Sequence, residues 1–192
     1  YFNHYDLDFL KVMNDYFFPM PEGLDGIHHP SDLERIGPID MDHSDWQQQF
    51  QALEMIADRL KDRAYFIDTV FDPWQTLQRH LAGAGIDRLM SEAPEALERA
   101  LDFITDALIA YCHKSLRIGS AGIFVSVPAA SEIIAHDHFL QFVLPYSHRL
   151  LAAISDQGFM NTAHIHGQDL YFDDVLALPA AVFSWWDRSP SG

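Results

Sequence analysis

The sequence predicts an α/β fold built around a parallel sheet of about five strands. The first observation is that short apolar segments alternate with longer segments whose apolar residues recur at helical spacing. The second is that polar residues able to do chemistry follow the ends of the short segments, as they do in α/β enzymes. The alternation alone is compatible with an open doubly wound sheet and with part of a closed barrel.

The first half of the chain contains two predicted strands, residues 7–13 and 64–71. A loop rich in proline and glycine follows the first strand over residues 19–38. The spacing of apolar residues predicts helices over residues 44–61 and 74–82. This half is therefore predicted to form two βα units, the first with a long loop before its helix.

The second half repeats the alternation and completes the predicted domain. Its elements, in chain order, are a helix over 94–115, a strand over 118–127, a helix over 137–157, a strand that ends at His164-Ile165-His166, a short helix over 170–176 and a strand over 180–186. Cys112 lies in the apolar stripe of the first of these helices, which predicts a buried structural thiol. Residues 1–192 are predicted to form a single domain.

Composition excludes several classes of partner. The chain carries 12 Lys and Arg against 28 Asp and Glu, a net charge of −16, so it lacks the cations that binding to a nucleic-acid backbone requires. No apolar run approaches the roughly 20 residues that cross a bilayer, and the first residues lack the basic and apolar regions of a signal peptide. The single cysteine cannot form an intramolecular disulfide. We therefore expect a cytoplasmic protein that binds neither nucleic acid nor membrane.

The residues that follow the predicted strands form the candidate site. Because the carboxyl ends of parallel strands meet at one edge of a sheet or one mouth of a barrel, these residues are expected to lie together. They are Asn14, Asp15, Asp72, Trp74, Ser126, Ser131, His164, His166, Asp187 and Arg188. The residues predicted to contact a small-molecule substrate are Trp74, Ser126, Asp187 and Arg188.

The most specific local signal is His164-Ile165-His166-Gly167. Residues two apart on a strand point to the same side, so both imidazoles can face one ligand. They can hold zinc or another divalent metal, which then needs a third ligand such as Asp187. Direct contact with substrate and polar packing inside the fold are the alternatives.

Four segments, taken together, carry a family resemblance. They are residues 5–15, the run Phe71-Asp72-Pro73-Trp74-Gln75-Thr76-Leu77, residues 139–146, and His164-Ile165-His166-Gly167. In this order and at this spacing they resemble the uroporphyrinogen decarboxylase superfamily, which includes corrinoid-linked methyltransferases. The resemblance implies a (β/α)8 barrel of TIM type, of which the chain covers the middle, with about five βα units.

The resemblance also implies roles for individual residues of the decarboxylase branch. Asp15 matches the catalytic aspartate, which acts as a general acid or base or anchors the substrate. The family's active-site tyrosine falls at Arg79 or His80, so its role is not carried over. Its active-site serine corresponds to Ser126 or Ser131.

The methyltransferase branch carries His-x-Cys-Gly and a later cysteine as its zinc site. In this chain His164 matches the histidine and His166 replaces the first cysteine. The later ligand would lie beyond Gly192. Replacing a thiolate by an imidazole keeps zinc binding feasible and makes the metal more Lewis-acidic.

These implications define three hypotheses. The first is acid-assisted decarboxylation of a carboxylated tetrapyrrole-type or related substrate, which needs no cofactor. The second is zinc-dependent methyl transfer, with a methyl-corrinoid protein as partner and donor. The third is a non-catalytic barrel that binds a tetrapyrrole or a partner. A homodimer is left open as the assembly state.

Overall fold

The structure is a computed structural model that describes residues 2–5, 7–14 and 17–186. Within these residues five parallel strands form one sheet whose spatial order is the chain order. A doubly wound sheet would reverse that order at a switch point, and none is present in the described sheet. The α/β prediction is therefore confirmed, and the strands form the half-barrel of a partial TIM-type fold. They are β1 (Phe9–Val12), β2 (Tyr65–Phe71), β3 (Gly122–Pro128), β4 (Thr162–His166) and β5 (Val182–Trp185).

Helices of very different length connect the strands. They are α1 (Phe2–Tyr5), α2 (Pro30–Leu33), α3 (Ser44–Leu60), α4 (Pro73–Leu77), α5 (Ile86–Glu92), α6 (Pro94–Ile118), α7 (His136–Phe142), α8 (Leu144–Ile154) and α9 (Phe172–Val175). A π-helical turn, Gln78–Ala82, extends α4, and 3₁₀ turns occupy Lys61–Arg63 and Gly83–Gly85. None of the helices in the described part of the chain is long and apolar enough to span a membrane.

Helix α6 shows how the apolar periodicity becomes the core. Leu97, Leu101 and Ile104 recur at helical spacing and are completely buried. Cys112 continues the same stripe and is also completely buried, which confirms the prediction of a buried thiol. The helix ends at Gly119, whose φ of +127° is a backbone conformation that favours glycine.

Two predicted boundaries were wrong for identifiable reasons. The single helix predicted over residues 137–157 is two helices, α7 and α8, because Pro145 cannot donate a backbone hydrogen bond and its ring obstructs the preceding turn. The helix is interrupted at Val143, and α8 ends before the turn that leads to Gly158. The third strand begins at Gly122 rather than residue 118, because α6 continues to Ile118.

The sheet has two unlike faces because side chains alternate along each strand. On the helix side, Val70, Val125 and Ile165 are at most 4% exposed and belong to the main hydrophobic cluster. The opposite face, here called the interior face, carries aromatic and polar side chains, several of which are partly exposed. Its members include Lys11, Thr69, Phe71, Phe124, Ser126, His164, His166 and Ser184.

Candidate active site

The strand register aligns one interior-face residue from each of four strands. This upper row consists of Phe71, Ser126, His164 and Ser184. Neighbouring strands lie about 4.8 Å apart, so the row spans roughly 14 Å across the carboxyl half of the sheet. Two residues predicted from the sequence, Ser126 and His164, are therefore direct neighbours. Among the described residues, the hydroxyl of Ser126 has no hydrogen-bond partner in the protein.

A chain of contacts links four interior-face residues around His164. The Lys11 ammonium lies 4.5 Å from the centroid of the Phe124 ring. That ring stacks on His164 with centroids 4.9 Å apart and an interplanar angle of 27°. On its other side, Nδ1 of His164 lies 3.2 Å from the hydroxyl oxygen of Ser184. The Lys11–Phe124–His164–Ser184 chain therefore joins β1, β3, β4 and β5.

The surroundings lower the pKa of both titratable members of this chain of contacts. Neighbouring side chains partly desolvate the ammonium and lower the pKa of Lys11. Burial lowers the pKa of His164, and the charges of His166 and Lys11 lower it further. A neutral His164 keeps one ring nitrogen as a hydrogen-bond donor and the other as an acceptor.

His166 lies beyond His164 on the same face, with ring centroids 6.3 Å apart. Both line a solvent-open hollow of about 540 Å³, together with Glu132 and Trp186. The Glu132 carboxylate already accepts a hydrogen bond from the backbone N–H of Gln168. Within the described ranges, no cluster of three His, Cys, Asp or Glu residues could hold a metal ion. A zinc site needs at least three protein ligands, so the described residues do not complete one.

A second depression lies beside the carboxyl end of β2. It encloses about 350 Å³, and its lining includes Asn14, Thr69, Phe71 and His80. The hydroxyl of Thr69 is buried there without a hydrogen-bond partner among the described residues. A buried polar atom without a partner costs free energy, so a ligand that supplied one would gain affinity.

Two residues of the π-helical turn cover Phe71, the first member of the upper row. The Arg79 guanidinium carbon lies 4.5 Å from the Phe71 ring centroid. The His80 ring meets the same ring edge-on, with centroids 5.8 Å apart. The position that the resemblance aligned with a tyrosine therefore brings a cation and an imidazole to the end of β2.

The sequence profile of the family described as "Uroporphyrinogen decarboxylase (URO-D)" matches residues 20–190. The chain belongs to the uroporphyrinogen decarboxylase family. The family match confirms the resemblance predicted from the sequence motifs. Enzymes of this barrel class carry their active sites at the carboxyl ends of the strands.

Two known proteins show how much of the family's length the chain spans. A protein named uroporphyrinogen decarboxylase from Syntrophotalea carbinolica is 33% identical over 90 residues, which are 47% of this chain and 26% of that protein. A solved structure described as a methyltransferase from Methanosarcina mazei superposes with a TM-score of 0.62 and 17% identity, over 77% of this chain and 47% of the other. At that identity the second likeness shows the fold. The matched part of the chain spans less than half the length of each of these proteins.

The remaining site predictions for this family member fall in different places. Asp15, Asp187 and Arg188 lie outside the described residues. Trp74 is only 2% exposed and belongs to the hydrophobic core, so the structure does not bring its indole to the upper row. Its assignment as a substrate contact stays a prediction. Ser131 is exposed in the loop after β3, outside that row.

Sequence reasoning did not select Lys11, Phe124 or Ser184. Lys11 and Phe124 lie within strands rather than at their ends, and Ser184 was not distinguished from its neighbours. What they share is the side of the sheet to which they point. Lys11 and Phe124 lie an even number of residues before a strand-end candidate, and Ser184 pairs in register with His164. This shared orientation identifies neighbours only when the register of the strands is known.

Two buried carboxylates on the helix side complete the electrostatics. Asp68 accepts a hydrogen bond from the Tyr111 hydroxyl at 2.9 Å, and burial raises its pKa to about 6. Asp72 caps α4 by accepting from the backbone N–H of Gln75 at 2.7 Å, and it accepts from the Ser147 hydroxyl at 2.9 Å. Burial raises the pKa of Asp72 to about 7. Both groups join strands to helices and face away from the upper row.

Proposed function

We propose that this member of the uroporphyrinogen decarboxylase family releases carbon dioxide from a carboxylated tetrapyrrole-type or related substrate bound on the interior face. The observation that carries the proposal is the Lys11–Phe124–His164–Ser184 chain of contacts. It combines a cation, an aromatic surface and a polar imidazole on the interior face of the sheet. Among the described residues, Lys11 forms no ion pair with a carboxylate.

The substrate class follows from the chemistry of these side chains. A flat conjugated or pyrrole ring can pack against Phe124 and Phe71, and a carboxylate arm can reach the Lys11 ammonium. In a chain of net charge −16, an anionic substrate needs local positive charge of this kind. Partial desolvation of the ammonium strengthens its attraction for a carboxylate.

Decarboxylation requires that a carbon–carbon bond break and leave its electron pair on the substrate. A proton added to the substrate ring lets the ring accept that pair. A proton from solvent then adds to the carbon that carbon dioxide leaves, and the ring releases its added proton, so that one proton is consumed for each carbon dioxide released. We assign the first proton to Asp15, the general acid proposed from the family resemblance. The described neighbour of Asp15 along the chain, Asn14, lines the depression at the end of β2. His164 supplies a hydrogen bond to the reacting arm in its neutral form.

The test is conversion of uroporphyrinogen without added metal, followed by chromatography of the less carboxylated products. We expect Lys11→Gln and Asp15→Asn each to lower turnover by about 100-fold. Lys114→Gln is the matched control, because the Lys114 ammonium also lies over a phenylalanine, 5.3 Å from the Phe50 centroid, and Phe50 is a core residue of α3. Equal turnover in wild type and Lys11→Gln would contradict the proposal.

Methyl transfer from a methyl-corrinoid protein is the second candidate. It is favoured by two imidazoles on one face with centroids 6.3 Å apart, and by the lowered pKa of His164, since a ligating imidazole must be neutral. Metal analysis of the purified protein and of His164→Ala separates the two candidates. Stoichiometric zinc that is lost in the variant supports methyl transfer, whereas metal-independent turnover of uroporphyrinogen supports decarboxylation. Ligand binding that persists in Asp15→Asn, with no turnover in wild type, indicates the non-catalytic barrel.

A further inference from the structure

The end of β2 carries a cation that lies over an aromatic ring rather than against a carboxylate. Arg88, Arg99 and Arg149 each form an ion pair with a carboxylate. Arg79 forms none with any carboxylate in the described part of the chain, although the protein has 28 Asp and Glu. Its guanidinium instead lies over the Phe71 ring. A guanidinium whose face rests on a ring keeps its N–H edge for a bidentate contact with a carboxylate.

The backbone conformation explains why the cation lies there. Residues Gln78–Ala82 form a π-helical turn, closed by the Gly83 N–H, which donates to the Gln78 carbonyl. Single π turns are frequent at functional sites because the extra residue redirects side chains. Gly83 ends the turn with a φ of +57°, which favours glycine. The wide turn allows Arg79 and His80 to contact the same ring, one over its face and one at its edge.

His80 is held in a defined orientation beside Arg79. The backbone N–H of Phe18 donates to its Nδ1 at 3.0 Å, and the Phe17 ring meets it edge-on with centroids 5.0 Å apart. Burial lowers the pKa of His80, and the Arg79 charge lowers it further. With Nδ1 accepting, the proton of the neutral ring resides on Nε2. The imidazole lines the depression, and its Nε2–H has no hydrogen-bond partner among the described residues.

We propose that Arg79 and His80 form a carboxylate-binding corner that holds one acidic arm of the substrate away from the reacting arm. Phe71 pairs in register with Ser126, and Ser126 pairs with His164. Two strand spacings, about 10 Å, therefore separate His164 from Phe71, the ring that Arg79 and His80 contact. The corner selects substrates that carry several carboxylates at such separations over small monocarboxylates. This inference rests on the proposed function for the identity of the reacting arm.

The test uses the purified chain and the octacarboxylate porphyrin uroporphyrin, whose fluorescence reports binding. We expect Arg79→Gln to raise the dissociation constant by about 10- to 100-fold, as for loss of a charge-assisted bidentate contact. Arg79→Lys is expected to give an intermediate loss, because an ammonium cannot reproduce the planar fork. His80→Phe, which fills the space between two phenylalanines without a donor, should weaken binding severalfold.

The control variant is Arg117→Gln, which removes an exposed arginine at the end of α6 and should leave the dissociation constant within about twofold. Circular dichroism establishes that each variant is folded. Two outcomes overturn the proposal: wild type that binds no uroporphyrin, and Arg79→Gln that binds as tightly as wild type.

Turnover measured on the same preparations distinguishes this proposal from the proposed function. Loss of binding in Arg79→Gln, with no decarboxylation by wild type, supports the corner and contradicts the decarboxylase. Decarboxylation by wild type, with unchanged binding and KM in Arg79→Gln, contradicts the corner alone.

Discussion

The two faces of the half-barrel treat their charged groups in opposite ways. On the helix side, Asp68 and Asp72 are completely buried, and each accepts hydrogen bonds from a helix residue. On the interior face, Lys11 lies over an aromatic ring without a carboxylate partner among the described residues, as does Arg79 at its upper end. The first arrangement gives each carboxyl group hydrogen-bond donors from the helices and so holds strands to helices. The second leaves cations available to a ligand. Substitutions on the helix side should therefore change stability, and those on the interior face should change function.

The largest loss of stability is expected for Asp72→Ala. The substitution removes the cap of α4 and leaves the Ser147 hydroxyl without its buried acceptor. We expect the free energy of unfolding to fall by about 3 kcal/mol in urea denaturation. Asp72→Asn keeps an oxygen acceptor and should lose less than half as much. Equal losses in the two variants would show that the cap does not hold α4.

A pH dependence of stability should arise from the same face. The pKa values of Asp68 and Asp72, about 6 and about 7, lie above the unfolded value of 3.8, so the folded state binds protons more tightly. Their contribution to stability is complete below pH of about 4 and is lost as pH rises through about 6 and about 7. We expect the Tm to fall by about 5 °C between pH 5 and pH 8.

Asp68→Asn provides the control for this pH dependence, because it removes one titrating group while keeping an acceptor for Tyr111. Thermal unfolding of this variant should show a shallower slope against pH than wild type. A slope that is unchanged, or a Tm that rises with pH, would contradict the assignment.

A smaller loss of stability is expected for Phe124→Leu on the interior face. The ring is half-buried and contacts both Lys11 and His164. Loss of the stacking should cost about 1 kcal/mol in urea denaturation. Binding of uroporphyrin should also weaken although the variant stays folded, because the aromatic surface that packs against the ligand is lost. A stability loss without any change in binding would place Phe124 with the helix-side residues.

The smallest effect on stability is expected for Lys11→Gln. The side chain is exposed and forms no ion pair with a described carboxylate, so the free energy of unfolding should change by less than about 0.5 kcal/mol. Turnover should nevertheless fall by about 100-fold if the proposed function holds. A large stability loss in this variant would remove the distinction between the two faces.

The sequence predicted most of the sheet and some of the site. Apolar segments and the polar residues after them located all five strands and placed Ser126 and His164 at their carboxyl ends. The break at Val143 was missed, because the helical pattern of apolar residues continues across Pro145. The burial of Trp74 was also missed, since position after a strand does not specify which way a side chain points.

What the sequence by itself determined is local: where apolar periodicity makes strands and helices, which residues follow them, and which family the motifs indicate. The tertiary structure decided which residues meet. Lys11 contacts Phe124 across an intervening strand, and Phe71, Ser126 and His164 share a row through the register of three strands. Register depends on how the whole sheet packs against its helices, so a contact between distant segments has no local signature. The π-helical turn that brings Arg79 and His80 to Phe71 was decided in the same way.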